Sequence, residues 1–277
     1  MSAMSGFEAV PHVRPWCLSL VLIAIAGAAQ GVEMQRAPAA DATLFGDEPG
    51  LANGSGSHLF IGATAAGFSR RALVRFDLSE VPPGSTVRSA SLRVVIDRIA
   101  NGAPADSVAS LHRVLASWGE GASGSGGGGN GGGEVAVPGD VTWTQRYHAA
   151  APPRSWSTPG GDFAVESASI PMVSTGAFVW AGTPEMLADI QGWVNDPASN
   201  HGWLIHGSEA TTRSAKRMVS REGGVNVPLL TLEYDPPVAE SGDVPLPAWA
   251  LGALAASLLG AAVRPRLRKR ESETSKP

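Results

Sequence analysis

Two alternating apolar runs, residues 70–77 (RRALVRFD) and 89–97 (SASLRVVID), flank the corner Val81-Pro82-Pro83-Gly84-Ser85, and this arrangement most limits what the chain can fold into. Ala72, Val74 and Phe76 fall on one face of the first run. Leu92, Val94 and Ile96 share a face of the second, with Ser91, Arg93 and Asp97 opposite. Successive side chains of a strand point to opposite faces, so a period of two predicts half-buried antiparallel strands. Proline cannot donate to a ladder and glycine tolerates turn dihedrals, so the corner must break the sheet. A further alternating run at 107–115 and short strand candidates between turns at 41–45, 58–61, 167–173, 202–206, 215–219 and 228–234 bring the total to about ten strands. In the last of them Leu230, Leu232 and Tyr234 share a face. With 34 glycines and 21 prolines in 277 residues, the composition suits an all-β chain with many turns.

One helix is predicted, over 183–196. Thr183 can cap it, Pro184 suits its first turn, Glu185 favours the dipole, and Leu187, Ile190 and Val194 lie on one face before Pro197 ends it. Residues 121–133 form a glycine-rich insertion. No Gly-Lys-Ser/Thr follows them, so the stretch reads as a flexible loop and not as a phosphate cradle.

The ends of the chain differ from its body. Residues 1–31 combine His12 and Arg14, an apolar run at 16–29 and then small residues, the layout of a signal peptide for removal by signal peptidase. The run falls short of the ~20 residues that span a bilayer. Removal would take away Cys17, the only cysteine, and with it any disulfide or thiolate site. After a linker at 236–243, residues 244–263 are uncharged and apolar, and Arg264 to Arg270 adds a cationic run. That pattern predicts a transmembrane helix with its C-terminus in the cytoplasm. Between residues 32 and 243, 14 Lys and Arg face 22 Asp and Glu, and an acidic body argues against nucleic acid as a partner.

The C-terminal pattern resembles the exosortase-recognised sorting signals of Gram-negative bacteria, the PEP-CTERM and IPTL-CTERM class. Val244, Pro245, Leu246 and Pro247 stand as a VPLP variant of the short proline motif. The resemblance implies an exosortase-like protease as partner, transient anchoring in the inner membrane over 244–270, and delivery to the cell surface or outside the cell. The body, 32–235, resembles the DNRLRE-domain family through residues 71–78 with the Pro-Pro-Gly turn, 117–121 (SWGEG), 141–143 (VTW), 160–162 (GGD) and 214–222 (SAKRMVSRE). That family implies a jelly-roll β-sandwich, and some of its members are carbohydrate-binding modules.

Sugars are usually met by open aromatic rings that stack on a pyranose face, with a few polar groups to fix orientation. Trp118, Trp143, Trp156 and Trp180, in or beside the loop-rich middle, are the binding candidates, whereas Trp193 and Trp203 fit the core. The expected partner is an extracellular polysaccharide or cell-envelope glycan. The alternative is an extracellular glycan-active hydrolase or lyase with its site in the 118–180 loops, drawing on Glu120, Asp140 or Asp162. No Gly-x-Ser-x-Gly elbow and no zinc spacing of His and Cys occurs, so no catalytic residue and no cofactor is assigned. A structural calcium needs only carboxylates and carbonyls in turns, for which Asp41, Asp47 and Glu48 are candidates. The strand arginines, among them Arg70, Arg71, Arg217 and Arg221, are expected to pair with acidic neighbours more than to form a basic face.

Overall fold

The computed structural model describes residues 31–125 and 131–238. The signal segment before Gly31 and the sorting segment 244–270 lie outside the described residues. Among the described residues no helix is long and apolar enough to cross a membrane.

In chain order the strands are Val32–Arg36 (β1), Ala40–Phe45 (β2), Leu51–Ala52 (β3), His58–Ala63 (β4), Ser69–Arg75 (β5), Thr86–Ile99 (β6), Val108–Val114 (β7), Glu134–Val135 (β8), Gln145–Tyr147 (β9), Arg154–Ser155 (β10), Phe163–Pro171 (β11) and Gly176–Ala181 (β12). After the helix Pro184–Asn195 (α1) come Trp203–Gly207 (β13), Lys216–Val219 (β14) and Leu229–Asp235 (β15). The main strands form one curled eleven-stranded sheet whose two layers enclose the main core, consistent with a β-sandwich. In the first layer β6 is central. Its Leu92 pairs with Trp180 of β12 on one edge and Leu230 of β15 on the other, with β14 beyond β15 along that edge. Outside these lie β1, on β15, and β4, on β14. The second layer runs β2-β5-β13-β7-β11, all antiparallel. Strand β4 joins the layers, because residues 58–61 pair with β14 while Gly62 and Ala63 pair with β5.

The two sequence runs that set the fold class therefore do not pair with each other. The Pro-Pro-Gly corner carries the chain from β5 in one layer to β6 in the other, and Gly84 has a φ of 82° in it. Their apolar faces meet as expected: Ala72, Val74 and Phe76 share one core with Leu92, Val94 and Ile96 and with Leu230, Leu232 and Tyr234. Each large aliphatic side chain buried here contributes roughly 1.5–3 kcal/mol of hydrophobic stabilisation.

Helix α1 starts as the sequence reads it, with Thr183 Oγ1 accepting from the Met186 N–H at 3.0 Å. It buries Met186, Ile190, Trp193 and Val194 against the sandwich. The Trp193 ring lies 4.6 Å from that of Trp203, edge to face. Gln191 clamps the start of β6, accepting from the Val87 N–H and donating to the Ser85 carbonyl.

A second, smaller core covers part of the outer surface of the β2-β5-β13-β7 layer. It joins Ala40, Ala42, Leu44, Leu73, Val114 and Leu204 of that layer with Trp118, Val141 and Trp156 from the segment after β7. Asp140 organises this segment. It is fully buried and accepts from the N–H groups of Ala122 and Val137 and from the Ser123 hydroxyl, so it closes the glycine-rich insertion at its base.

Candidate functional site

The covering segment stops partway across the outer surface, and a mixed aromatic and polar cluster lies at its margin. Alternation along the strands decides its membership. Ala72 and Ile205 point into the main core, so their neighbours Arg71 and His206, paired with each other across β5 and β13, point outward. Ser110, opposite His206, and His112 point outward from β7 by the same rule. The cluster is completed by Phe163, first residue of β11, and by Trp143 and Glu209 from loops.

Arg71 ties the group together. Its Nε and Nη2 donate to the two carboxylate oxygens of Glu209 at 2.7 and 2.9 Å, and its Nη1 donates to the Gly160 carbonyl at 2.8 Å. The guanidinium lies 4.8 Å from the Trp143 ring centre and 5.5 Å from that of Phe163. The Phe163 ring is 5.1 Å from His112, which is 5.9 Å from His206. His206 Nε2 approaches Glu209 at 3.3 Å. Burial pushes the Glu209 carboxyl up, but the hydrogen bonds and charges of His206 and Arg71 outweigh it and hold the pKa at about 2. Burial pushes the pKa of His112 below the usual imidazole value. Its Nδ1 faces the Ala164 carbonyl at 3.0 Å, and a carbonyl only accepts, so Nδ1 carries the proton and Nε2 accepts from the Ser110 hydroxyl at 2.9 Å.

Two glycines let the loop reach the sheet. Gly160 and Gly161 have φ of 93° and 111°, and a Cβ on Gly160 would lie 2.5 Å from Arg71 and 2.8 Å from Trp143. Next to them, Asp162 accepts from the N–H groups of Ser157 and Thr158 at 2.9 Å. Together with Phe163, Leu115, Ala116 and Gly161 these residues line an open cleft of about 530 Å³. Its walls include the half-buried Phe163 ring and Leu115, which is 50% exposed, while Ser157, Thr158 and Asp162 supply polar groups. A second cleft, about 500 Å³ between the β5–β6 connection and α1, is lined by two rings, but Phe76 and Trp193 are buried and offer no open face.

The four tryptophans singled out in the sequence fare unequally. Trp118, Trp156 and Trp180 are buried, and each indole N–H donates to a main-chain carbonyl, of His201, Thr142 and Ala109 respectively. Trp143 alone of the four keeps part of its ring at the surface, beside Arg71. Trp193 and Trp203 are core residues, as expected. Sequence reasoning passed over Phe163, His112 and Glu209 as site residues. The signal for Phe163 was the Gly-Gly-Asp turn before it, which delivers a ring to the start of a strand.

Of the calcium candidates, Asp47 is bound bidentately by Arg70 at 2.6 and 3.1 Å and Glu48 is exposed, so the structure does not gather them around Asp41. Asp41 is buried and lies instead with Glu120 and Glu222. The carboxylates considered for hydrolysis are each engaged: Glu120 with Arg221, Asp140 inside its loop, Asp162 on two N–H groups. Four of the basic residues expected to pair with acids do so: Arg70 with Asp47, Arg71 with Glu209, Arg217 with Asp97 and Arg221 with Glu120.

Comparison with known families gives one match: residues 32–122, about a third of the chain, fit the model of carbohydrate-binding module family 96. The match is compatible with a glycan-binding, non-catalytic module. No curated protein matches the chain.

Proposed function

We propose that this is an exported, surface- or matrix-associated, non-enzymatic protein whose β-sandwich, of the jelly-roll type seen in DNRLRE domains, binds glycan along the Phe163 margin of its outer face. The observation that carries the reading is the half-buried Phe163 ring, set between a cleft with polar walls and the Arg71–Glu209–His206 group. A pyranose has an apolar face and an equatorial belt of hydroxyls. It needs an apolar floor, here Phe163 and Leu115, and fixed donors and acceptors beside it, here Ser157, Thr158, Asp162 and His206. Because Arg71 and Glu209 already satisfy each other, they hold the surrounding geometry rigid and add little net charge. The match of residues 32–122 with a carbohydrate-binding module family supports glycan binding in general. Export through residues 1–31 and sorting through 244–270, with the VPLP motif, rest on the sequence pattern.

The test is retention in affinity electrophoresis through a panel of neutral and acidic polysaccharides, including the extracellular polymer of the native host. Phe163→Leu keeps the apolar volume and removes the ring, and is expected to weaken binding about tenfold. No retention of the wild-type protein by any polymer, or undiminished binding by Phe163→Leu, would overturn the proposal.

A further inference from the structure

Three carboxylates from distant parts of the chain converge on one point. Asp41 comes from β2, Glu120 from the segment after β7, and Glu222 from the short helical turn Arg221–Gly223 between β14 and β15. They offer one oxygen each, all within 4.8 Å of one another. Two oxygens bound to one calcium at 2.3–2.6 Å stand no more than about 5 Å apart, so this spacing fits a shared ion.

The hydrogen bonds leave a specific remainder. Glu120 Oε1 accepts from the Asp41 N–H at 2.8 Å and from Arg221 Nε at 2.7 Å, and Glu120 Oε2 accepts from Arg221 Nη2 at 3.1 Å. Asp41 Oδ2 accepts from the Arg221 N–H at 2.7 Å, and Glu222 Oε1 lies 2.6 Å from Arg221 Nε. Asp41 Oδ1 and Glu222 Oε2 are buried with no partner at all. Asp41 itself is only 1% exposed. A buried carboxylate oxygen without a donor is costly, and three carboxylates against one guanidinium leave two negative charges. The desolvation of Asp41, together with its acidic neighbours, pushes its pKa well up, which marks the same missing positive charge. Oxygen donors without His or Cys suit a hard cation, and an irregular cluster suits calcium more than magnesium, which demands near-ideal octahedral geometry.

We infer that Asp41, Glu120 and Glu222 bind a calcium ion, with the orphaned oxygens of Asp41 and Glu222 as direct ligands. The ion fastens β2, the segment leading into the glycine-rich insertion, and the β14–β15 turn to one another. Arg221 is the positioning residue, holding Glu120 and Glu222 at the site. The inference is independent of the glycan reading.

The experiment uses the full chain, freed of metal with chelator and melted in added CaCl2 or MgCl2, with calorimetric titration of CaCl2 alongside. Wild-type protein is expected to gain about 5–10 °C in Tm at calcium a hundredfold above Kd, and less in equal magnesium. Asp41→Asn should lose the calcium gain, yet melt no lower than wild type in chelator, because a buried amide replaces a buried charge. If that variant does not fold, Glu222→Gln should lose the same gain. A wild-type Tm that ignores calcium, with no heat on titration, would overturn the site. So would a calcium-insensitive Tm that rises on acidification, which would assign the carboxylates to a shared proton. Full calcium response in Asp41→Asn, or in Glu222→Gln where that is the variant that folds, would also overturn it.

Discussion

Replacing Glu209 by Gln isolates the ion pair that holds the Phe163 margin in shape. Glu209 is bound bidentately by Arg71 and touched by His206, and the side chains of Arg71 and Glu209 are only 15% and 13% exposed. Folding lowers its pKa from 4.5 to about 2. A difference of that size corresponds to about 3 kcal/mol, and residual solvent access reduces it to about 2 kcal/mol. The sign follows from proton uptake: between those pH values the unfolded chain holds the proton and the native state does not. The contribution is therefore complete above about pH 4.5 and is lost as the pH falls towards 2. Urea unfolding of wild type and Glu209→Gln at intervals from pH 7 to pH 2.5 gives the comparison. The variant is expected to be about 2 kcal/mol less stable at pH 6, with the gap closing in acid as the wild-type carboxyl is protonated. A gap that stays constant across the range, or no gap at pH 6, would refute the assignment of this pair as an ionised, structure-holding contact.

Trp203→Ala removes a fully buried ring that packs on Trp193 and Phe76 and donates to Asp189, and should cost about 3–5 kcal/mol in denaturant unfolding. Thr183→Ala deletes the cap of α1 and should cost about 1 kcal/mol, read as a lower urea midpoint with an unchanged slope. Lys216 is buried, and burial pulls its pKa down from 10.5 to about 8. In that interval the unfolded chain binds the extra proton, so wild-type stability should rise between pH 8 and 10.5. Lys216→Met should lack that rise and be about 1–2 kcal/mol more stable at pH 7 in thermal unfolding.

Strands β6 and β15 were readable because one face is buried and the other is not, and a period of two records that burial residue by residue, whereas β2, β4 and β13, buried on both faces, were readable only as short apolar stretches between turn residues. Strands β1 and β12 escaped notice for the converse reason. They are edge strands whose exposed positions carry Val32 and Val179 as readily as polar residues, which blurs the alternation. Pairing of the arginines with acids was legible as a tendency. Their partners were not, since Arg71 meets Glu209 138 residues away.

By itself, then, the sequence determined the β class, the facing apolar sets of β5 and β6, the capped helix and the core placement of Trp193 and Trp203. Each of these follows from local periodicity or capping chemistry. Only the tertiary structure decided that β5 and β6 belong to opposite layers. It also decided that Trp118 and Trp156 turn inward while Phe163 stays at the margin, and that Asp41 meets Glu120 and Glu222. The exposure of a ring depends on which part of the sheet a distant loop covers, and the convergence of three carboxylates depends on three chain crossings. Neither is written in the spacing of neighbouring residues.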